Sequence, residues 1–329
     1  MVKHILDTRQ FRNRDFIDGF ILKTKEIKEN IGKGFVYSQH RGRVVCGLFF
    51  EPSTRTRTSF ESAATRLGAT PIFTENAAEF SSVYKGETLE HTILATQSNY
   101  DALVIRHPDN GSALRAAKVS KKPVINAGDG GNQHPSQALL DIFTIYEKFG
   151  KIDNLKIGFL GDLKNGRTVK SLTYLLAQFS GSELYYASPK SLELPSDIRE
   201  WLKRKNIKIT ETENVLDFLS IINVLYVTRI QQERLSEEDF EKLAASYDDF
   251  IIDFRKANMM KEGSIIMHPL PINREKSHGK PEITPAVDSH PRAWYFVQSG
   301  NGVYARMALL DIVLNKKDLL HDLIIDMEL

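Results

Sequence analysis

The stretch Glu51-Pro52-Ser53-Thr54-Arg55-Thr56-Arg57-Thr58 holds the densest chemistry in the chain. It follows the apolar run RVVCGLFF (43–50) and opens the helical pattern TRTSFESAATRLG. A helix N-terminus offers unpaired N–H groups and a partial positive charge. Hydroxyls from Ser53, Thr54 and Thr56 and the guanidinium of Arg55 would complete a phosphate cradle. Arginine suits phosphate because its planar fork donates two parallel hydrogen bonds. An ordinary helix cap uses a single hydroxyl and does not call for several beside two arginines.

Further polar residues stand where ligand groups are expected. Arg106 ends the run ALVIRH, and Arg229 ends NVLYVTR. His134 follows the glycine-rich turn AGDGGNQ and precedes a helical pattern. Gln137 lies one turn on, on the same face. The stretch from Gly161 to Thr168 misses a phosphate-binding P-loop by one residue, with Arg167 where the lysine belongs. Arginine is not an equivalent point charge there. No G-x-G-x-x-G follows a strand, which argues against a dinucleotide site.

These groups need rigid elements behind them. Candidate strands are 43–50, 71–75, 102–107, 122–128, 156–162, 183–188, 223–229 and 264–269, mostly continuous apolar runs. Such runs suit parallel strands buried on both faces. Helical patterns alternate with them, including SQALLDIFTIYEKFG and SDIREWLKRKN. The expected fold is α/β, with two open parallel-sheet domains, helices on both faces, and long helices joining them. Gly150 is a helix stop, so the boundary is placed there: residues 1–150 form one domain and 151–329 the other. The helix from about residue 295 is expected to pack back on the first. The loop 272–292 is long, polar and proline-punctuated, a length that is often functional. The tail KKDLLHDLIIDMEL reads as an amphipathic helix packed on the body or on a partner.

Composition narrows the function. The 329 residues carry 44 basic and 42 acidic side chains. That near balance argues against general nucleic-acid binding, so anions must be met by a few placed arginines. No apolar run reaches the ~18 residues that span a membrane, and the N-terminus lacks the apolar core of a secretory signal. The only cysteine, Cys46, excludes an internal disulfide framework and reads as a buried thiol. A cytoplasmic protein is expected, without nucleic-acid or membrane partners.

Ser-Thr-Arg-Thr-Arg after a strand resembles the carbamoyl-phosphate signature of the aspartate and ornithine carbamoyltransferase family. Further matches follow in order: Lys85-Gly86-Glu87-Thr88, Arg106, His134-Pro135-Ser136-Gln137, Asp162-Leu163-Lys164 before Gly166-Arg167-Thr168, Thr228-Arg229-Ile230-Gln231, and His268-Pro269-Leu270-Pro271. The resemblance runs from about the first helix to residue 315.

The resemblance implies that the first domain binds carbamoyl phosphate and the second binds an amino acid. Ser53, Thr54, Arg55, Thr56, Arg106, His134, Gln137, Ser81, Lys85, Leu270 and Pro271 would hold carbamoyl phosphate. Arg55, Thr56, Arg106, His134 and Lys85 would take part in catalysis. Lys85, Arg167, Thr168, Arg229 and Gln231 would hold aspartate. Glu51, Arg167 and Arg234 would serve domain closure. Ser81 and Lys85 would reach a neighbouring subunit's site, which implies a homotrimer with shared sites and leaves room for a separate regulatory chain. No metal or redox cofactor is expected, and the implied setting is pyrimidine biosynthesis.

The amino acid follows from details. Ornithine enzymes typically carry a cysteine in the His-x-Leu-Pro motif and a Ser-Met-Gly loop. Here position 269 is proline and no Ser-Met-Gly occurs. Two arginines suit two carboxylates and repel a side-chain ammonium. Two departures from many relatives stand out: Ile272 replaces an arginine, with Arg274 two places later, and Tyr84 replaces a basic residue before Lys85. A scaffold with a dead site is disfavoured, because every matched polar position is chemically intact.

Overall fold

A computed structural model describes residues 3–77, 86–231, 237, 247–274 and 281–325. The chain divides into two compact units, residues 1–148 with 300–329, and residues 149–299.

The first unit is built on strands β1 (Val44–Phe49), β2 (Thr70–Glu75), β3 (Ala102–His107) and β4 (Val124–Asp129). All pair in parallel, in the order β2-β1-β3-β4. Helices α1 (Arg14–Gly32), α2 (Thr54–Arg66), α3 (Leu89–Thr96), α4 (Ser112–Val119) and α5 (Pro135–Phe149) alternate with the strands. Parallel strands need such crossovers, and the crossovers cover the sheet. Strands β3 and β4 are accordingly buried over nearly their whole length.

The second unit carries β5 (Lys156–Leu160), β6 (Glu183–Ala187), β7 (Lys208–Thr212), β8 (Val224–Val227) and β9 (Ile265–Met267). The sheet is parallel, in the order β7-β6-β5-β8-β9. Its helices are α6 (Arg167–Leu176), α7 (Ser196–Arg204), the single turn α8 (Leu216–Leu219) and α9 (Phe254–Met259). Helix α10 (Tyr295–Leu314) begins in the second unit and ends in the first.

Two parallel α/β sheets are thus present, as the alternation of apolar runs and helical patterns implies. Strand β7 is the exception. Its sequence KITET has no apolar run and its side chains are mostly exposed, because it is an edge strand covered on few sides. The tail forms only the short helix α11 (Leu319–Leu323) among the described residues. It packs on the body: Leu320 lies against Gly19 of α1, and Lys23 pairs with Asp318 at 2.7 Å. Among the described residues no helix is long and apolar enough to cross a membrane.

In both sheets the chain changes direction at an inner pair of strands, β1/β3 and β5/β8. Loops leaving such a pair diverge to opposite faces and open a crevice at the carboxyl ends, where ligands bind in open α/β sheets.

Candidate active site

The first crevice lies after β1 and β3. Phe49 is in register with Arg106, and the Phe50 N–H donates to the Arg106 carbonyl at 2.8 Å. The turn that starts the phosphate-cradle sequence is therefore fastened to the arginine at the end of β3. Ser53 occupies the N-cap position of α2, but its hydroxyl makes no cap hydrogen bond. Thr54 and Arg55 are exposed, whereas Thr56 faces the core.

The two arginines of the motif part company. Arg57 donates to Glu61 at 2.8 Å and pairs with Glu75 at 3.1 Å. It ties α2 to the end of β2. Arg55 has no carboxylate partner among the described residues. Desolvation lowers its pKa somewhat. Its side chain is nonetheless exposed and fully charged at neutral pH.

Arg106 lies beside Glu51, with Nε 3.4 Å from Oε2, and donates to the Ala127 carbonyl at 3.3 Å. His134 is buried at the mouth of α5. Its carbonyl accepts from the N–H groups of Gln137 and Ala138, and Pro135 takes the first helical position, where no N–H is needed. Gln137 is also buried and donates its Nε2 to Asp141 at 2.9 Å.

Asp129 sets this turn. Oδ1 accepts from Asn126 Nδ2 and the Gln133 N–H at 2.8 and 3.1 Å. Oδ2 accepts from the Gly111 N–H and Asn132 Nδ2 at 2.9 and 3.0 Å. A buried carboxylate with that many donors is fixed, so the segment leading to His134 is fixed too. Sequence reading passed over Asp129. An aspartate among glycines is the available signal, since its side chain bonds nearby backbone N–H groups.

The second crevice lies after β5 and β8. Asp162 is fully buried. Its Oδ1 accepts the Asn165 N–H at 2.8 Å, and its Oδ2 accepts Asn165 Nδ2 at 3.2 Å and the Gln231 N–H at 3.4 Å. One carboxylate thus gathers the turn before Arg167 and the segment after Arg229. Arg167 and Thr168 open α6, and Arg229 and Gln231 follow β8; all four are half-buried. Gly161 has φ +116°, and a Cβ there would lie 2.3 Å from the Thr228 carbonyl. The near P-loop is something else. Its Asn165 N–H is spent on a carboxylate, where a P-loop aims such donors at phosphate.

The 268–271 turn is held from behind. His268 is buried, with Nε2 3.0 Å from Glu282. Its Nδ1 accepts the Leu270 N–H at 2.8 Å, which assigns the proton to Nε2. Leu270 is half-buried, Pro271 is exposed, and the bond between them is cis. Arg274 forms a fork with Asp288, at 2.5 and 2.7 Å. That pair holds Asp288 below the usual carboxylate range. Arg274 is therefore committed to an ion pair. Ser81, Tyr84, Lys85 and Arg234 lie outside the described residues.

The pattern of the aspartate/ornithine carbamoyltransferase carbamoyl-phosphate-binding domain matches residues 3–147. That of the family's aspartate/ornithine-binding domain matches residues 153–313. The chain belongs to the aspartate/ornithine carbamoyltransferase family.

Among its relatives in this family is the aspartate carbamoyltransferase catalytic subunit of Thermococcus onnurineus, 46% identical over 95% of this chain and 97% of the relative. The chloroplastic aspartate carbamoyltransferase 3 of Pisum sativum is 44% identical over 94% of this chain and 77% of its own length. The aspartate transcarbamoylase of Trypanosoma cruzi, solved with carbamoyl phosphate and aspartate, superposes with a TM-score of 0.86. It is 37% identical, and the match covers 94% of this chain and 95% of that one. The Methanocaldococcus jannaschii catalytic subunit gives a TM-score of 0.85 at 41% identity, covering 96% of this chain and 100% of that one. For a carbamoyltransferase, the β1/β3 and β5/β8 crevices are the places where the fold offers substrate sites.

Proposed function

We propose that this chain is an aspartate carbamoyltransferase. It transfers the carbamoyl group of carbamoyl phosphate to the α-amine of L-aspartate, giving N-carbamoyl-L-aspartate and phosphate, in pyrimidine biosynthesis. The observation that carries the amino-acid choice is the β5/β8 crevice. There Asp162 accepts the N–H groups of Asn165 and Gln231, each two residues from Arg167 or Arg229, in a chain with proline at 269 and no Ser-Met-Gly. Two arginines complement two carboxylates.

In the first unit, Ser53, Thr54 and Arg55 hold the phosphoryl oxygens, with Ser81 and Lys85. Arg55 serves where Arg57 cannot, since Arg57 is already paired with Glu61 and Glu75. The unprotonated amine of aspartate attacks the carbonyl carbon. As the C–N bond forms, the carbonyl electron pair moves to oxygen, where Thr56, Arg106 and His134 donate hydrogen bonds. Prealigned donors of this kind stabilise developing charge without reorganising. The oxygen's electron pair then re-forms C=O, the bond from that carbon to the bridging phosphate oxygen breaks, and phosphate departs with the electron pair and takes the amine proton. The Gln137 side-chain amide meets the carbamoyl NH₂, and Leu270 and Pro271 offer backbone carbonyls to the carbamoyl and amine N–H groups. Thr168 lies beside Arg167 at the start of α6 and joins the aspartate site. Much of the rate comes from holding two anions in attack geometry, and Glu51, Arg167 and Arg234 serve the closure that does so.

The working unit is a homotrimer in which Ser81 and Lys85 complete a neighbour's site, and it works in the cytoplasm. A product assay with carbamoyl phosphate and either aspartate or ornithine tests the reading. N-carbamoyl-aspartate is the expected product, and citrulline as the main product would refute it.

A further inference from the structure

Arg306 of α10 is almost fully buried in the first unit. Its guanidinium lies over the Phe60 ring of α2, 5.1 Å from the centroid. A Cβ on Gly302 would come within 2.4 Å of its Nη1, so this glycine makes room for it. Among the described residues its Nε has no hydrogen-bond acceptor. Burial lowers its pKa to about 10, and the charge of Asp141 acts in the opposite direction. Arg306 therefore stays cationic at neutral pH.

The two neighbours of this cation hold matching positions. Phe60 is one helical turn beyond Thr56, and Asp141 is one turn beyond Gln137. Residues four apart share a helix face. The buried cation thus sits behind two of the residues assigned to the carbamoyl group.

Asp141 is fully buried and accepts from Gln137 Nε2 at 2.9 Å. An ionised carboxylate can only accept. Its demand for a donor decides which way the Gln137 amide faces: Nε2 toward Asp141 and Oε1 away from it.

We infer that Asp141, with its charge balanced by Arg306, is a positioning residue that locks the Gln137 amide so that Oε1 accepts from the NH₂ of the carbamoyl group. The lock makes the first unit select a carbamoyl group over an acyl group that has a methyl in that place. This rests on the reading that Gln137 meets the carbamoyl NH₂.

The test is the ratio of two affinities, measured by calorimetry on the intact protein. Phosphonoacetamide carries the NH₂, and acetonylphosphonate carries a methyl in its place. Wild type should prefer the amide by roughly tenfold, about the worth of one well-placed hydrogen bond. Asp141→Asn should bring the ratio to within about twofold of unity, because asparagine offers both a donor and an acceptor and the Gln137 amide can turn over. Affinity for inorganic phosphate should stay within about threefold of wild type. A merely structural role would weaken all three ligands together and leave the ratio unchanged.

The double variant Gln137→Glu/Asp141→Asn reverses the hydrogen bond and keeps one buried carboxylate near Arg306. It should restore the preference for the amide. If Asp141→Asn strands the Arg306 charge and unfolds the chain, the reversal carries the test alone. A folded Asp141→Asn with the wild-type ratio, or a reversal that fails to restore it, overturns the inference. Gln137→Met separates the two levels. If Gln137→Met keeps the wild-type ratio, the reading of Gln137 itself is wrong and the lock falls with it. If only Gln137→Met abolishes it, Gln137 stands and Asp141 does not position it.

Discussion

The Asp162 carboxylate accepts the backbone N–H of Gln231 at 3.4 Å while its other oxygen accepts the N–H of Asn165 at 2.8 Å. These partners lie on loops that leave different strands, β5 and β8. Asp162→Ala should loosen both. We expect kcat/KM for aspartate to fall at least about tenfold, since each buried donor left unsatisfied costs about 1–3 kcal/mol. Carbamoyl phosphate affinity, set mainly by residues of the other unit, should change less than about threefold. Steady-state kinetics with calorimetry of carbamoyl phosphate checks this, and an equal loss for both substrates would contradict it.

Arg55 and Arg57 are two residues apart and should behave differently. Arg55→Ala is expected to weaken phosphate and carbamoyl phosphate by at least about tenfold, the loss of a charge-assisted hydrogen bond of about 1.5–3 kcal/mol. Arg57→Ala should leave phosphate affinity within about threefold. It should cost about 1 kcal/mol or less of stability for each pair it makes with Glu61 and Glu75. Binding calorimetry alongside denaturant titration separates the two. A larger binding defect for Arg57→Ala than for Arg55→Ala would reverse the assignment.

Gly161→Ala introduces a Cβ that would lie 2.3 Å from the Thr228 carbonyl, at φ +116°. A positive φ of this kind is strained for alanine, at about 1–3 kcal/mol, and the overlap adds to it. The expected result is a loss of at least about 2 kcal/mol in unfolding free energy with a raised KM for aspartate, because Thr228 leads into Arg229. Thermal unfolding and aspartate kinetics at wild-type levels would show that the close approach is not needed.

Asp311 carries the clearest pH prediction. Burial alone would raise its pKa, but hydrogen bonds from His40 and Lys23 outweigh burial and bring it to about 2. A carboxylate lowered in the folded state stabilises the protein above its unfolded pKa, near 3.9, and that contribution fades as pH falls toward 2. The shift is worth about 2 kcal/mol. Asp311→Asn should therefore be less stable than wild type by about that amount at pH 7, with the gap closing between about pH 4 and pH 2. A gap that stays constant across that range would mean the carboxylate's charge is not what stabilises.

Much of this arrangement was legible in the sequence, and the reasons are physical. Strands β3 and β5 are buried on both faces over most of their length, so their apolar runs declare them. Strand β7 is an exposed edge and carries no such signal. Arg106 and Arg229 stand out because each directly follows an apolar run. Arg57 and Arg274 could not be told from ligand arginines by sequence, since only the fold brings Glu75 and Asp288 to them. Asp129 and Asp141 have partly local signals, an aspartate among glycines and a Gln–Asp pair four residues apart on one helix. Only the fold adds Gly111 to the first and Arg306 to the second.

The most direct measurement of the central claim is product identity. The purified protein is given carbamoyl phosphate with equal concentrations of aspartate and ornithine, and both carbamoylated products are quantified over time. N-carbamoyl-aspartate should form, with a kcat/KM for aspartate exceeding that for ornithine by well over about tenfold. A higher kcat/KM for ornithine, or no carbamoylated product from either amino acid, would contradict the account.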